Sequence, residues 1–179
     1  MSEPLVNNFY YDEQVKDLLV KTLFNIINDL NGEPVFLCIG SERHILDCLG
    51  PLIGTMVMEK AADILIYGTL EEPLHAQNLV QKIEEIKDNH PEIIAIAVDA
   101  AIGLEEDIGI IKLRKGPLLP GKALDKRLPA VGDLSITGIV AKKDLIKSRS
   151  FNGSLHHVYH MAKIVSQAIY EWSMLYKQR

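Results

Sequence analysis

Long apolar runs are missing from this chain, and none approaches the roughly 20 residues that a membrane-crossing helix needs. Cysteine is scarce too: Cys38 and Cys48 alone cannot make a disulfide framework. Basic charge is in deficit, since 19 Lys and Arg against 24 Asp and Glu leave a net charge of −5. Generic nucleic-acid binding needs a basic face, so that class is set aside. The N-terminal stretch Met1–Asn8 has neither the basic nor the apolar region of a signal peptide. Gly40-Ser-Glu-Arg-His44 is no phosphate loop, being neither a Walker A sequence nor a dinucleotide glycine fingerprint. Internal repeats, low-complexity segments and linkers are lacking as well. These absences leave a cytoplasmic, reduced enzyme or binding protein as the expectation.

What is present is a core. Apolar residues make up 47% of 179 residues, enough for one domain with a substantial interior. Helical spacing runs from Asp12 to Leu30 through Val15, Leu18, Leu19, Leu23, Ile26 and Ile27. Asn31-Gly32 ends that helix, and Val35–Ile39 reads as a buried strand. A helix over Leu49–Lys60 follows, with Pro51 in its first turn, where a missing N–H is tolerated. Then come a strand at Asp63–Tyr67, a helix at Leu74–His90 and a strand at Ile93–Val98. This β-α-β-α-β order predicts a three-layer α/β/α fold with a mostly parallel sheet. Farther on, Gly109–Leu113 and Leu134–Val140 read as strands, and prolines and glycines keep Gly116–Gly121 out of a helix. A long amphipathic helix at Leu155–Tyr176 closes the chain. The expected organisation is one domain over residues 1–179: an N-terminal helical part at 1–33, a sheet core at 34–140 with a loop at 114–133, and a C-terminal helix at 153–178.

Two acids stand out. Asp47 follows the first strand, and Asp99 directly follows Ile93–Val98, so each is expected at or just beyond a strand's carboxyl end. That edge is where open parallel sheets place their chemistry. The common strand order 2-1-3 makes the two strands neighbours, about 4.8 Å apart, and puts the carboxylates within about 5–8 Å. Close carboxylates resist joint ionisation, so one keeps its proton at a raised pKa. Such a pair can activate a water and protonate a leaving group, which suits metal-free hydrolysis of an amide. The plainer reading of each acid is a helix cap for Asp47 and a turn for Asp99.

Several motifs in fixed order carry a resemblance. Cys38-Ile-Gly-Ser-Glu-Arg43 with Asp47-Cys-Leu-Gly-Pro-Leu-Ile-Gly54, Tyr67–Ala76, Val98–Gly103, Gly116–Gly121 and Leu128–Gly138 resemble the sporulation protein YyaC family, relatives of the spore germination protease. The resemblance implies a phosphorylase/hydrolase-like fold, as in hydrogenase maturation proteases. It also implies catalytic roles for Asp47 and Asp99, and small acid-soluble spore proteins as substrates in a sporulating cell or spore. One alternative is a non-catalytic spore protein that keeps the fold and binds a peptide or protein. Another, weaker one is a metal-dependent maturation protease.

Ser41 and Arg43, in the loop leading to Asp47, and Lys122, in the basic loop Lys122–Arg127, are the candidate substrate contacts. Arg43 can clamp a carboxylate or pair with Glu42. Cys48 can serve as a nucleophile with His44 or His75 as base, but a buried structural thiol is the plainer reading. His156, His157 and His160 are expected on a solvated face of the last helix, because they lie away from its apolar stripe and no acid or Cys nearby completes a metal set. No metal and no cofactor are expected. The expected partner is a peptide or protein substrate, with no nucleic acid and no membrane, and a homo-oligomer is left open.

Overall fold

A computed structural model of the chain describes residues 3–60, 63–120, 128–142 and 154–178. Strand β1 (Val6–Phe9) comes first, then α1 (Val15–Asn28), β2 (Glu33–Cys38), α2 (Leu49–Met58), β3 (Leu65–Tyr67), α3 (Leu79–Asn89), β4 (Ile93–Gly103), β5 (Ile110–Lys115), β6 (Leu134–Lys142) and α4 (Leu155–Tyr176). They build one six-stranded sheet in the order β1-β5-β6-β4-β2-β3. The pairs β2–β3, β2–β4 and β4–β6 are parallel, and β5–β6 and β1–β5 are antiparallel. The sheet is therefore mostly parallel, with helices on both faces.

Strand alternation sorts the core into two layers. Phe36, Cys38, Ile96, Val98 and Ile136 point to one face, where Leu19 and Leu23 of α1, Ile53 of α2 and Val165, Ile169 and Trp172 of α4 cover them. Trp172 meets Phe36 edge to face, with ring centroids 5.4 Å apart. Val35, Leu37, Ile39 and Ala97 point to the other face, beneath Leu79 and Ile86 of α3 and Val131 of the β5–β6 connection. Lys16 of α1 reaches Glu171 of α4 at 2.7 Å, tying the two helices at their rim.

The helix boundaries follow local hydrogen bonding. The Asp12 carboxylate accepts from the Gln14 N–H at 3.0 Å, so α1 begins at Val15 rather than at Asp12. Residues 74–78 were expected to be helical but form a turn. There the Asn78 side chain accepts from the His75 N–H at 2.8 Å, and Leu74 pairs with Ile39 as an isolated parallel bridge. Helix α3 therefore starts only at Leu79. Strand β1 went unpredicted because Val6 alone of its four residues is buried and two are Asn, which strands disfavour. It is an edge strand recruited by the antiparallel β5, so the sheet extends beyond residues 34–140. Strand β4 is the largest departure: it runs five residues past Val98, to Gly103, because β6 supplies a ladder partner along that whole length.

Candidate functional site

The carboxyl end of β2 is built from backbone packed on backbone. The Ile39 N–H donates to the Val98 carbonyl at 2.7 Å, extending the ladder one residue past the strand. Gly40 then takes φ of 142°, and a Cβ there would lie 1.9 Å from the Asp47 carbonyl oxygen. The loop closes on itself: the Ser41 N–H donates to the Asp47 carbonyl and the Asp47 N–H to the His44 carbonyl, both at 2.9 Å. Behind it, α2 comes so close that a Cβ on Gly50 would stand 2.2 Å from the Ile39 carbonyl oxygen. Asp47 is thereby fixed over the end of β2, one residue before the Cys48 N-cap of α2. The capping residue makes no side-chain cap hydrogen bond. Negative charge at this position is favoured by the unpaired N–H groups of the helix start.

Asp99 lies inside β4 rather than beyond its end, with Thr137 of β6 as its register partner. The pairing Cys38–Val98 places Ile39, and the Asp47 loop after it, alongside Asp99. Asp99 is one of the few buried polar side chains, 8% exposed. Its Oδ1 accepts from the Ala100 N–H at 2.7 Å. Burial pushes its pKa well above the ordinary carboxylate value, the negative charge of Asp47 pushes it further, and the Ala100 N–H offsets part of the rise. A proton on Asp99 is thereby favoured beside the negative charge of Asp47. The turn reading of Asp99 does not hold, because the residue is mid-strand. That extension comes from β6, a partner 38 residues ahead in the chain, which no local pattern announces.

The other candidate residues separate. Ser41 accepts from the Arg43 N–H at 3.3 Å and shapes the loop. Arg43 projects into solvent and pairs with Glu42 at 3.2 Å, the plainer of its two expected arrangements. Lys122 and the rest of the basic loop Lys122–Arg127 lie outside the described residues. The Cys48 thiol donates to the Ile45 carbonyl at 3.4 Å, and burial pushes its pKa up, which suits a structural thiol rather than a nucleophile. His75 accepts from the Gln77 N–H, and His44 from the Leu46 N–H, each at 3.3 Å. Of the histidines of α4, His156 is exposed as expected, while His157 and His160 are half-buried. Tyr10, just after β1, stacks on His160 and hydrogen-bonds His157 at 3.2 Å, so the unpredicted strand explains this difference too. No group of three or more His, Cys, Asp or Glu among the described residues is arranged to hold a metal ion.

One set of residues escaped the sequence reading. Along a single row across the sheet, Asp99 stands opposite Thr137, Thr137 opposite Lys112, and Lys112 opposite Asn7. In the next row down, Ala97, Ser135 and Arg114 stand opposite one another. The signal was the alternation in Ile111-Lys112-Leu113-Arg114, apolar toward the helices and basic toward the other face.

Comparison with known proteins adds a family. The profile of the family described as "Protein of unknown function (DUF1256)" matches residues 7–168. A protein of Bacillus subtilis (strain 168) described as "Uncharacterized protein YyaC" is 38% identical over 141 residues, covering 77% of this chain and 69% of that protein. The family profile spans the Asp47 loop, β4 and β6 alike.

Proposed function

This chain belongs to the DUF1256 family, and for it we propose a peptidase of the sporulating cell or spore that hydrolyses peptide bonds with the Asp47–Asp99 dyad. The observation that carries the proposal is the buried Asp99 carboxyl, which keeps its proton beside the charge of Asp47. The resemblance of the Asp47 and Asp99 motifs to those of the spore germination protease supports the same reading.

In this mechanism Asp47 takes a proton from a water molecule as the water oxygen attacks the scissile carbonyl carbon. Asp99 donates its own proton to the carbonyl oxygen, giving a neutral tetrahedral intermediate. The proton on Asp47 then passes to the amide nitrogen as the C–N bond breaks. Asp99 regains a proton as the carbonyl reforms, so both acids return to their starting states.

A second reading is a spore protein that keeps this fold and binds a peptide without cutting it. It is favoured by the burial of Asp99, which leaves its carboxyl almost no accessible surface. A groove also lies elsewhere, toward the amino end of β4, between α3 and Pro129–Asp133.

Incubation of the purified protein with small acid-soluble spore proteins, followed by mass spectrometry, separates the two. The peptidase reading expects discrete fragments from the wild type and none from Asp47→Asn or Asp99→Asn. It also expects activity to fade as pH rises through the Asp99 pKa. Uncut substrate, or equal cutting by the folded variants, removes the peptidase reading.

A further inference from the structure

We propose that Tyr67 is a nucleophilic phenol, activated by His90 and Glu33, that accepts an acyl group from an uncharged activated ester. The site lies apart from the dyad and stands whether or not Asp47 and Asp99 cut peptides.

Glu33 opens β2, and His90 caps α3 just before β4, so both lie at the amino edge of the sheet. Asp47 lies beyond the other end of β2, which puts the dyad at the far edge. Tyr67 closes β3, an edge strand, and packs on the α3 side with Leu79 and Ile86. The His90 N–H donates to the Ile86 carbonyl at 2.8 Å, which holds the residue at the helix end. From there its ring bridges side chains of two strands. Nδ1 meets Glu33 Oε2 at 3.0 Å, and Nε2 meets the Tyr67 hydroxyl at 3.3 Å.

Chemistry gives this chain of contacts a direction. An ionised carboxylate only accepts hydrogen bonds, so in the neutral ring the proton sits on Nδ1, facing Glu33. Nε2 then keeps its lone pair, and the Tyr67 O–H donates to it. Carboxylate, imidazole and hydroxyl in that order turn a hydroxyl into a nucleophile. The imidazole takes the proton, and the carboxylate holds the tautomer and offsets the charge that forms. A contact of 3.3 Å is within the looser range such pairs show before a substrate arrives. Solvent reaches the chain, since the His90 side chain is 23% exposed, that of Glu33 57%, and Tyr67 is half-buried.

The surroundings select the electrophile. Lys82 pairs with Glu85 at 2.7 Å and lies within electrostatic reach of Tyr67 and Glu72. Its positive charge stabilises the negative charge that builds on the phenol oxygen as the proton leaves. Glu33, Glu72 and Glu85 outnumber that one cation, so the locality repels an anionic phosphoryl or acyl-phosphate donor and admits an uncharged ester. In the step itself the Tyr67 oxygen attacks the ester carbonyl carbon while its proton passes to His90 Nε2. The tetrahedral adduct then collapses, the bond to the leaving oxygen breaks, and His90 returns the proton to that oxygen. Tyr67 is left as an aryl ester, and His90 and Glu33 regain their starting states.

Timed incubation with p-nitrophenyl acetate, followed by peptide mass spectrometry, reads acetylation at each of the six tyrosines. Tyr11, 66% exposed, is the internal reference. Tyr67 is expected to react at least about tenfold faster than Tyr11 despite its burial, because a positioned general base contributes about 10²–10⁴-fold. His90→Gln is expected to slow Tyr67 at least about tenfold and to leave Tyr11 unchanged. Glu33→Gln, at the exposed end of the chain of contacts, is expected to slow Tyr67 as well, because an amide no longer fixes the proton on Nδ1. That variant carries the test if His90→Gln does not fold. With acetyl phosphate, an anionic donor of the same group, the advantage of Tyr67 over Tyr11 is expected to shrink. A Tyr67 rate no higher than that of Tyr11, or an unchanged Tyr67 rate in the folded variants, overturns the inference. An equal advantage with acetyl phosphate overturns the selection of an uncharged ester.

Discussion

Replacing Asp99 by Asn is expected to stabilise the fold, and to do so increasingly as pH rises. The amide keeps the shape of the side chain and an oxygen for the Ala100 N–H, which Asp99 now accepts at 2.7 Å. What it removes is the proton linkage. In the unfolded chain Asp99 ionises near its ordinary value of 3.8, whereas in the folded protein burial and Asp47 hold its pKa well above that. Between these limits the folded state binds one proton more than the unfolded state, so wild-type stability falls with rising pH. The slope is about 1.4 kcal/mol per pH unit for one proton. Below pH 3.8 the penalty vanishes, and above the folded pKa it levels off at its full size. For a domain of this length 1 kcal/mol moves Tm by about 2–4 °C, so the variant gains roughly 3–6 °C on the wild type for each pH unit inside the window. Thermal unfolding of both proteins in buffers stepped from pH 4 upward reads the difference directly. A constant offset between the two curves at every pH refutes the reasoning, because it means that Asp99 titrates alike folded and unfolded. A neutral Asp99 that costs stability is also what a functional acid looks like, since activity and stability often conflict at such positions.

Three further outcomes are expected. Asp47→Asn removes the charge that helps raise Asp99, so the Asp99 carboxyl carbon, followed by NMR, titrates at a lower pH than in the wild type, and an unmoved midpoint counts against electrostatic contact between the acids. Gly68→Ala places a Cβ 1.9 Å from the Cys38 carbonyl oxygen at φ of 95°, so chemical denaturation should show a loss of about 3 kcal/mol or more, and a change under 1 kcal/mol would contradict the close packing. Burial and the neighbouring His156 and His160 hold the His157 pKa below 6.5, so the folded state resists a proton that the unfolded chain accepts. Stability therefore begins to fall as pH drops through 6.5 and levels off below the folded pKa, and His157→Gln should flatten that part of the wild-type profile.

The parallel half of the fold was legible because its signals are local. Buried strands such as Val35–Ile39 are continuous apolar runs, the Leu155–Tyr176 stripe repeats at helical spacing, and the usual crossover hand places β2 beside β4. The antiparallel half was legible in part: the strands expected at Gly109–Leu113 and Leu134–Val140 are β5 and β6, but β1 was not foreseen. Strand β1 has one buried residue, and its place in the sheet depends on β5, more than a hundred residues later. Asp47 and Asp99 were both expected at or beyond strand ends, but Asp99 is set in a strand interior. The row that adds Thr137 and Lys112 to Asp99 exists only through the registers of β4 with β6 and β6 with β5, which are tertiary facts.

Strand β6 is made after both β4 and β5, yet it occupies the slot between them. During synthesis β4, with its Ile- and Ala-rich sequence, therefore waits with one bare edge until residues 134–142 have left the ribosome. Unpaired strands of that kind seek other partners, so the nascent chain passes through an aggregation-exposed stage. The same delay leaves Asp99 without its Thr137 neighbour, and the Val98 face of the sheet without α4, until β6 and α4 have been made. A chain made only as far as Gly103 thus holds Asp47 and Asp99 in sequence but not in the surroundings that β6 and α4 complete.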